Sequence, residues 1–246
     1  WETYRIITKH VFPNAVCITD HFHVIQELNR RVDRVRIRVQ NRFRKTIKTL
    51  KPKENNKTIT PEEIVELEEA SRYYYVLKKF NWLLASTNKK ILDVNVERRF
   101  NRTLNRYLNY SEILAYMLAI DDELEEAFYL RNDVTYFYDH CTYDTAKKQL
   151  EKIIIDFRSS TVAEVSPFAN TLTNWKKEII NSFIIVDDNV NRKMNTAIVE
   201  NRNKSIKLIK HASNGYLNWE RFRNRILYTL NEDTTFYYTS IRKDGK

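Results

Sequence analysis

Asp20 stands where an apolar run, Ala15-Val16-Cys17-Ile18, gives way to a helical pattern starting at Phe22. A carboxylate at the carboxyl end of a buried strand, followed at once by a helix, is where open α/β sheets hold their ligands. Hard divalent cations want such oxygens on rigid elements. The same geometry suits a plain helix N-cap, which Asp also serves well, so position alone leaves both roles open. Glu200 is the second candidate. On a helix, Ala197, Glu200, Asn201 and Lys204 share one face by three- and four-residue spacing. With Arg202, Lys207 and Lys210 near it, Glu200 could hold a divalent ion beside a bound phosphate. A solvated salt-bridge face explains that composition equally well.

A third feature is basic. Between Arg30 and Lys48 lie Arg31, Arg34, Arg36, Arg38, Arg42, Arg44 and Lys45. Such a helix could lie along a phosphate backbone, where neutralised phosphates release counterions and make binding salt-dependent. Other clusters favour bland readings. His21 and His23 find no second His or Cys group to complete a zinc site. Asp121-Asp122 and Asp187-Asp188 are adjacent pairs, and neighbouring side chains on a helix do not converge. Tyr73-Tyr74-Tyr75 and Tyr136-Phe137-Tyr138 offer stacking surfaces for bases, but fit core packing between helices better.

The elements that must position these residues are mostly helical. Tyr4 to Val11 reads as a short helix stopped by Pro13. From Phe22, Ile25, Leu28, Val32, Val35, Val39, Phe43, Ile47 and Leu50 recur at steps of three and four, one apolar stripe on a long helix. Lys51 to Thr60 reads as a polar linker. Thr60-Pro61-Glu62-Glu63 is a helix start, with Thr at the cap, Pro first and Glu third; that helix is expected to run to about Ser86. The apolar spacing predicts further helices over 111–138, 145–157, 167–183, 194–209 and 219–230, with extended chain at Ile184-Ile185-Val186 and a frayed tail from Glu232.

Composition narrows the possibilities. The chain has 246 residues, and 42 Lys and Arg against 32 Asp and Glu give a net charge of +10. Only 2 residues are Gly, too few for a Gly-rich phosphate loop, a dinucleotide fingerprint or a series of tight hairpins. The excess charge favours a polyanionic partner. Cys17 and Cys141 are far apart and imply neither a disulfide framework nor a metal site. No apolar run approaches the roughly 18 residues needed to cross a bilayer.

Four segments carry a family resemblance. Phe12-Pro13-Asn14-Ala15, the apolar run, and Asp20-His21-Phe22-His23-Val24-Ile25-Gln26 resemble the second-aspartate motif of DDE transposases of the ISL-three group of bacterial insertion sequences. Val199-Glu200-Asn201-Arg202-Asn203-Lys204-Ser205-Ile206-Lys207 resembles that family's glutamate motif. Asn214 to Arg225, with Gly215, Trp219 and Glu220, resembles its closing signature. Leu172 to Phe183, including Trp175-Lys176-Lys177-Glu178, is similar to the run before the glutamate. His21 stands where the family commonly has Arg, and no Asp precedes Asp20.

The resemblance implies a mostly α chain bearing an incomplete ribonuclease-H-like α/β core, interrupted by a large helical insertion. Residues 1–50 would be partial core (helix, strand ending at Asp20, long basic helix), 51–185 the insertion, and 186–246 the closing core helices carrying Glu200. The implied chemistry is Mg²⁺- or Mn²⁺-assisted phosphoryl transfer. Asp20 and Glu200 match two of three metal-holding carboxylates, and a two-metal site is expected only in a full-length protein. Arg30, Arg34, Arg38, Asn201, Arg202, Lys204 and Lys207 are the nucleic-acid candidates. The partner would be double-stranded DNA, transposon ends and target, with no membrane and with homodimerisation an option for the full-length protein. The location would be the bacterial cytoplasm, at the nucleoid. On this reading the chain is the carboxyl-terminal part of a transposase and does not join strands alone. A non-catalytic basic helical nucleic-acid-binding module is the alternative, and a purely structural helical protein a third.

Overall fold

The computed structural model describes residues 2–187, 192–193 and 197–231. The chain forms two compact units, residues 1–194 and 195–246. In the first, helix α1 (Glu2–Val11) precedes the 35-residue α2 (His21–Asn55). At 1.5 Å per residue, α2 is about 52 Å long. Its apolar stripe is the spine of the unit: Val24, Leu28, Val32, Val35, Val39 and Leu50 are buried. Burying each such side chain fully contributes about 1.5–3 kcal/mol. The helix continues past the expected end through Pro52, and the chain leaves it through Lys57 at φ 58°.

Thr60 then caps α3 (Pro61–Lys79) with the reciprocal Thr60–Glu63 capping box read from the sequence. The helix stops at Lys79, short of Ser86, and a 3₁₀ turn follows (Asn81–Ala85). Residues 99–108 form an antiparallel hairpin, β1 (Arg99–Asn101) with β2 (Arg106–Leu108), in the register Phe100 opposite Tyr107. The stretch expected as one helix over 111–138 is two, α4 (Tyr110–Leu118) and α5 (Asp122–His140), because Asp121 caps the second one, accepting from Leu124 N at 3.1 Å. Next come α6 (Tyr143–Ser159), α7 (Phe168–Asn174) and α8 (Lys176–Asn181). The expected single helix over 167–183 is thus broken at Trp175. A second small ladder pairs β3 (Ile185–Asp187) with β4 (Arg192–Lys193).

α2 packs most extensively on α3 and then on α5. One continuous apolar core joins α2 to the helices from α3 through α8. Arg131 is a polar pin inside it, 1% exposed. It donates to Asn29 Oδ1 (2.9 Å), Asn132 Oδ1 (2.9 Å) and the Ala85 carbonyl (2.7 Å), tying α5 to α2 and to the 3₁₀ turn. Burial lowers its pKa.

The expected buried strand at 15–18 requires correction. Residues 15–20 form neither strand nor helix, with no sheet partner among the described residues, and Val16 is exposed. A lone strand without a laddered neighbour must find other partners for its backbone groups. Here α8 supplies them: Asn181 Nδ2 donates to the Cys17 carbonyl (2.9 Å), and Thr19 N–H to the Glu178 carbonyl (3.1 Å).

The second unit is a helical pair, α9 (Ala197–Ala212) and α10 (Trp219–Leu230). Gly215, at φ 96°, closes the end of α9 by donating its N–H to the Lys210 carbonyl (2.9 Å). Asn218 caps α10 through Arg221 N (3.0 Å). Asp188, Asn189, Met194 and the expected frayed tail from Glu232 lie outside the described residues.

Candidate functional site

Asp20 is the N-cap of α2: its Oδ1 accepts from Phe22 N at 2.8 Å. The capping role is therefore real, and the carboxylate is also sheltered, its side chain 10% exposed. His21 Nδ1 stands 3.5 Å from Oδ1. Behind lies Tyr138, whose ring stacks on Phe183 and whose phenol is pushed well up, first by burial and then by the Asp20 charge. One turn further along α2 a cleft of about 460 Å³ opens, with His23, Glu27, Arg30, Thr171 and Trp175 among its lining residues.

Glu178 is a member of this neighbourhood that sequence reasoning did not single out. It is 4% exposed, pairs with Arg5 at 3.0 Å, and its own carbonyl holds Thr19, the residue before Asp20. Its Oε2 is buried without a hydrogen-bond partner among the described residues. The available signal was its place beside Ile179 on the buried side of a short helix. Among the described residues no three His, Cys, Asp or Glu side chains group to hold a metal ion.

Glu200 belongs to the second unit. It is exposed in the first turn of α9, with Asn201, Arg202, Lys204 and Lys207 also exposed. Arg202 also works within the unit, donating from Nη1 to the Leu230 carbonyl at 3.0 Å and so tying α9 to α10. Lys204, Lys207 and Lys210 make no ion pair among the described residues and line the exposed side of the helix.

The basic helix divides into two populations. Arg38 is held by Glu164 (2.7 Å) and by Glu123, a pairing that outweighs burial and raises its pKa while lowering that of Glu164. Arg36 is buried against Asp33 (2.7 Å), Gln40 and the Leu77 carbonyl (3.0 Å). Arg31 pairs with Glu27 (3.2 Å) and lies over the Phe168 ring, and Arg42 pairs with Asp121. Arg30 lies 3.6 Å from Glu27. Arg38 thus cross-links α2, α5 and the loop before α7. By contrast, Arg34, Arg44, Lys45 and Lys48 have no ionic partner among the described residues. With Ile37 and Asn41 they line a shallow open groove along α2. Arg34, Ile37, Asn41, Arg44 and Lys48 follow helical spacing, one face about 21 Å long.

The aromatic triplets are mostly structural. Phe137 is buried, Tyr138 packs on Phe183, and Tyr73 packs on Phe43 and Tyr116. Among the described residues no helix is long and apolar enough to cross a membrane.

Comparison with known proteins gives one finding. The family model of DDE transposases of the ISL-three group, described as transposase, matches residues 1–226. No curated protein and no solved structure matches the chain.

Proposed function

Because the chain belongs to the DDE transposase family of ISL-three insertion sequences over residues 1–226, we propose that it contributes Asp20 and Glu200 to metal-assisted phosphoryl transfer on DNA. The match along nearly the whole chain carries this reading, since it takes in both carboxylates in order. In this reading residues 1–50 and 186–246 carry the catalytic elements, and 51–185 are the insertion.

The donor chemistry suits a hard cation. Asp20 offers a carboxylate fixed at the start of α2 by the cap bond and by the anchoring of Thr19 on α8. Glu200 offers one in the first turn of α9. Each would serve as a ligand for Mg²⁺ or Mn²⁺, which would supply activation of the attacking oxygen and offset charge on the leaving one. The chain's own part is to place the carboxylates and to bring the phosphate backbone to them. Arg30 at the cleft beside Asp20, and Arg34, Lys204 and Lys207 on exposed faces, supply the positive potential for double-stranded DNA.

The test is Mg²⁺- or Mn²⁺-dependent cleavage and joining of transposon ends by a transposase carrying this chain. Activity abolished by Glu200→Gln supports the proposal. A nucleic-acid module without catalytic ancestry would keep DNA affinity and show no dependence of any activity on Asp20 or Glu200.

A further inference from the structure

The β1–β2 hairpin is the least explained part of the first unit. Its strands are three residues each, too short to be stable without support, yet the turn is firmly built. Leu104 is buried at the tip. Asn101 Oδ1 accepts from Thr103 N and Leu104 N, both at 3.1 Å, and Asn105 takes the left-handed conformation at φ 52°. At the base, Asn109 Nδ2 donates to the carbonyls of Val94 (3.0 Å) and Val96 (3.2 Å). On α3, Tyr75 meets Asn101 and Thr103 through its hydroxyl. Burial raises its pKa, but hydrogen bonds to Lys79, Thr103 and Asn101 outweigh that and lower it.

This rigid mount displays groups that the fold itself does not use. Phe100 and Tyr107 face each other across the ladder, centroids 5.1 Å apart, yet are 48% and 67% exposed. Arg98 pairs with Glu112 at 2.5 Å, whereas Arg99, Arg102 and Arg106 are exposed and make no ion pair among the described residues. A cleft of about 570 Å³ runs beside the hairpin, with Lys79, Phe80 and Tyr110 on its far wall and Glu97 as its acidic member.

We propose that this hairpin is a second nucleic-acid contact, separate from the carboxylates, that binds unpaired DNA: Phe100 and Tyr107 stack on bases while Arg99, Arg102 and Arg106 hold the adjoining phosphates. Bases inside a duplex are already stacked on one another, so exposed rings gain contact only from bases out of the stack. Three unpaired guanidiniums within eight residues supply the charge complement, and planar Arg groups suit phosphate. The inference rests on DNA as the partner, though not on the roles of Asp20 and Glu200.

The test measures binding of the purified chain to a labelled thymine homopolymer about 20 nucleotides long, and to a duplex of equal length, at fixed salt. Phe100→Ser with Tyr107→Ser should weaken single-strand binding by roughly tenfold per ring and duplex binding less than about twofold. Phe100→Tyr with Tyr107→Phe should keep single-strand binding near the unmodified level, because both rings remain, and a loss as large as that of the double Ser variant would overturn the stacking role. Arg99→Gln, Arg102→Gln and Arg106→Gln together should reduce the salt dependence of single-strand binding. Unchanged single-strand affinity in the double Ser variant, with an unaltered thermal unfolding curve, overturns the proposal while leaving the duplex reading intact. Equal losses on both probes also overturn it. A chain that binds neither probe overturns both this inference and the DNA reading beneath it.

Discussion

The backbone N–H of Thr19 donates to the carbonyl of Glu178 at 3.1 Å, fixing the residue before Asp20 to helix α8. Two bonds, this one and Asn181 Nδ2 to the Cys17 carbonyl, do for residues 17–20 what a sheet neighbour does for a strand. The Glu178 side chain is in turn held by Arg5, whose guanidinium lies over the Trp175 ring. Glu178→Ala removes the carboxylate that Arg5 meets at 3.0 Å. The expected loss is on the order of 2 kcal/mol, below the ~3–5 kcal/mol for a fully buried pair because the Arg5 side chain is 26% exposed. Urea unfolding measures it, and an unchanged midpoint would show the pair to be energetically idle.

Arg131 gives a second stability test. Its three acceptors are neutral, and no carboxylate pairs with it among the described residues. Arg131→Ala leaves Asn29 Oδ1 and the Ala85 carbonyl short of a donor, at about 1–3 kcal/mol for each buried group, and opens a cavity besides. A loss of at least about 3 kcal/mol is expected, read from chemical denaturation. Arg131→Lys should recover only part, since an ammonium cannot span the three acceptors with the fork geometry of a guanidinium.

The Arg38–Glu164 pair makes stability depend on acid. The hydrogen bond from Arg38 holds the Glu164 carboxyl below its ordinary 4.5. A carboxyl depressed in the folded state binds fewer protons than in the unfolded chain, so its stabilisation is present above pH 4.5 and is lost as pH falls through the folded value. Arg38→Met should therefore be less stable than the unmodified chain at neutral pH. The difference should shrink as pH drops below 4.5, as thermal unfolding across a pH series would show. A constant difference at every pH would contradict the pairing.

The division of the basic helix predicts two kinds of variant. Lys45→Gln and Lys48→Gln remove cations without internal partners, so each should reduce the slope of log affinity against log salt for duplex DNA by up to about 0.9. Arg38→Met should lower stability and leave that slope nearly unchanged, because its charge is already offset by Glu164 and Glu123. Titrations at four or five salt concentrations separate the cases. Equal slopes for all three variants would remove α2 from the DNA surface.

Much of the scaffold was legible because its signals are local. The apolar stripe of α2, the Thr60–Glu63 box and Asn214-Gly215 each declare themselves within a few residues. The hairpin did not. Its strands are three residues long, rich in Arg, and turn through Asn105 in place of the Gly that such turns commonly show. The break at Asp121 was hidden inside an acidic run whose first member is a cap and whose neighbours are not. The pairing of Arg38 was not legible at all, since its partners lie 85 and 126 residues away in sequence. Asp20 was singled out from position and resemblance together, but its strand was misjudged, because the sequence shows apolar residues and not whether a neighbouring strand is there to pair with them.

We propose that Asp20 acts on DNA phosphates in addition to capping α2, and one substitution separates the two roles. Asn caps a helix about as well as Asp, whereas Ala forfeits about 1 kcal/mol. Joining of transposon ends should therefore be measured for a transposase carrying this chain with Asp20→Asn, beside Asp20→Ala and Glu200→Gln. Asp20→Asn should unfold at the unmodified temperature, bind DNA with near-unmodified affinity and join no detectable ends, as should Glu200→Gln. Joining by Asp20→Asn at or near the unmodified rate would contradict it and reduce Asp20 to a helix cap.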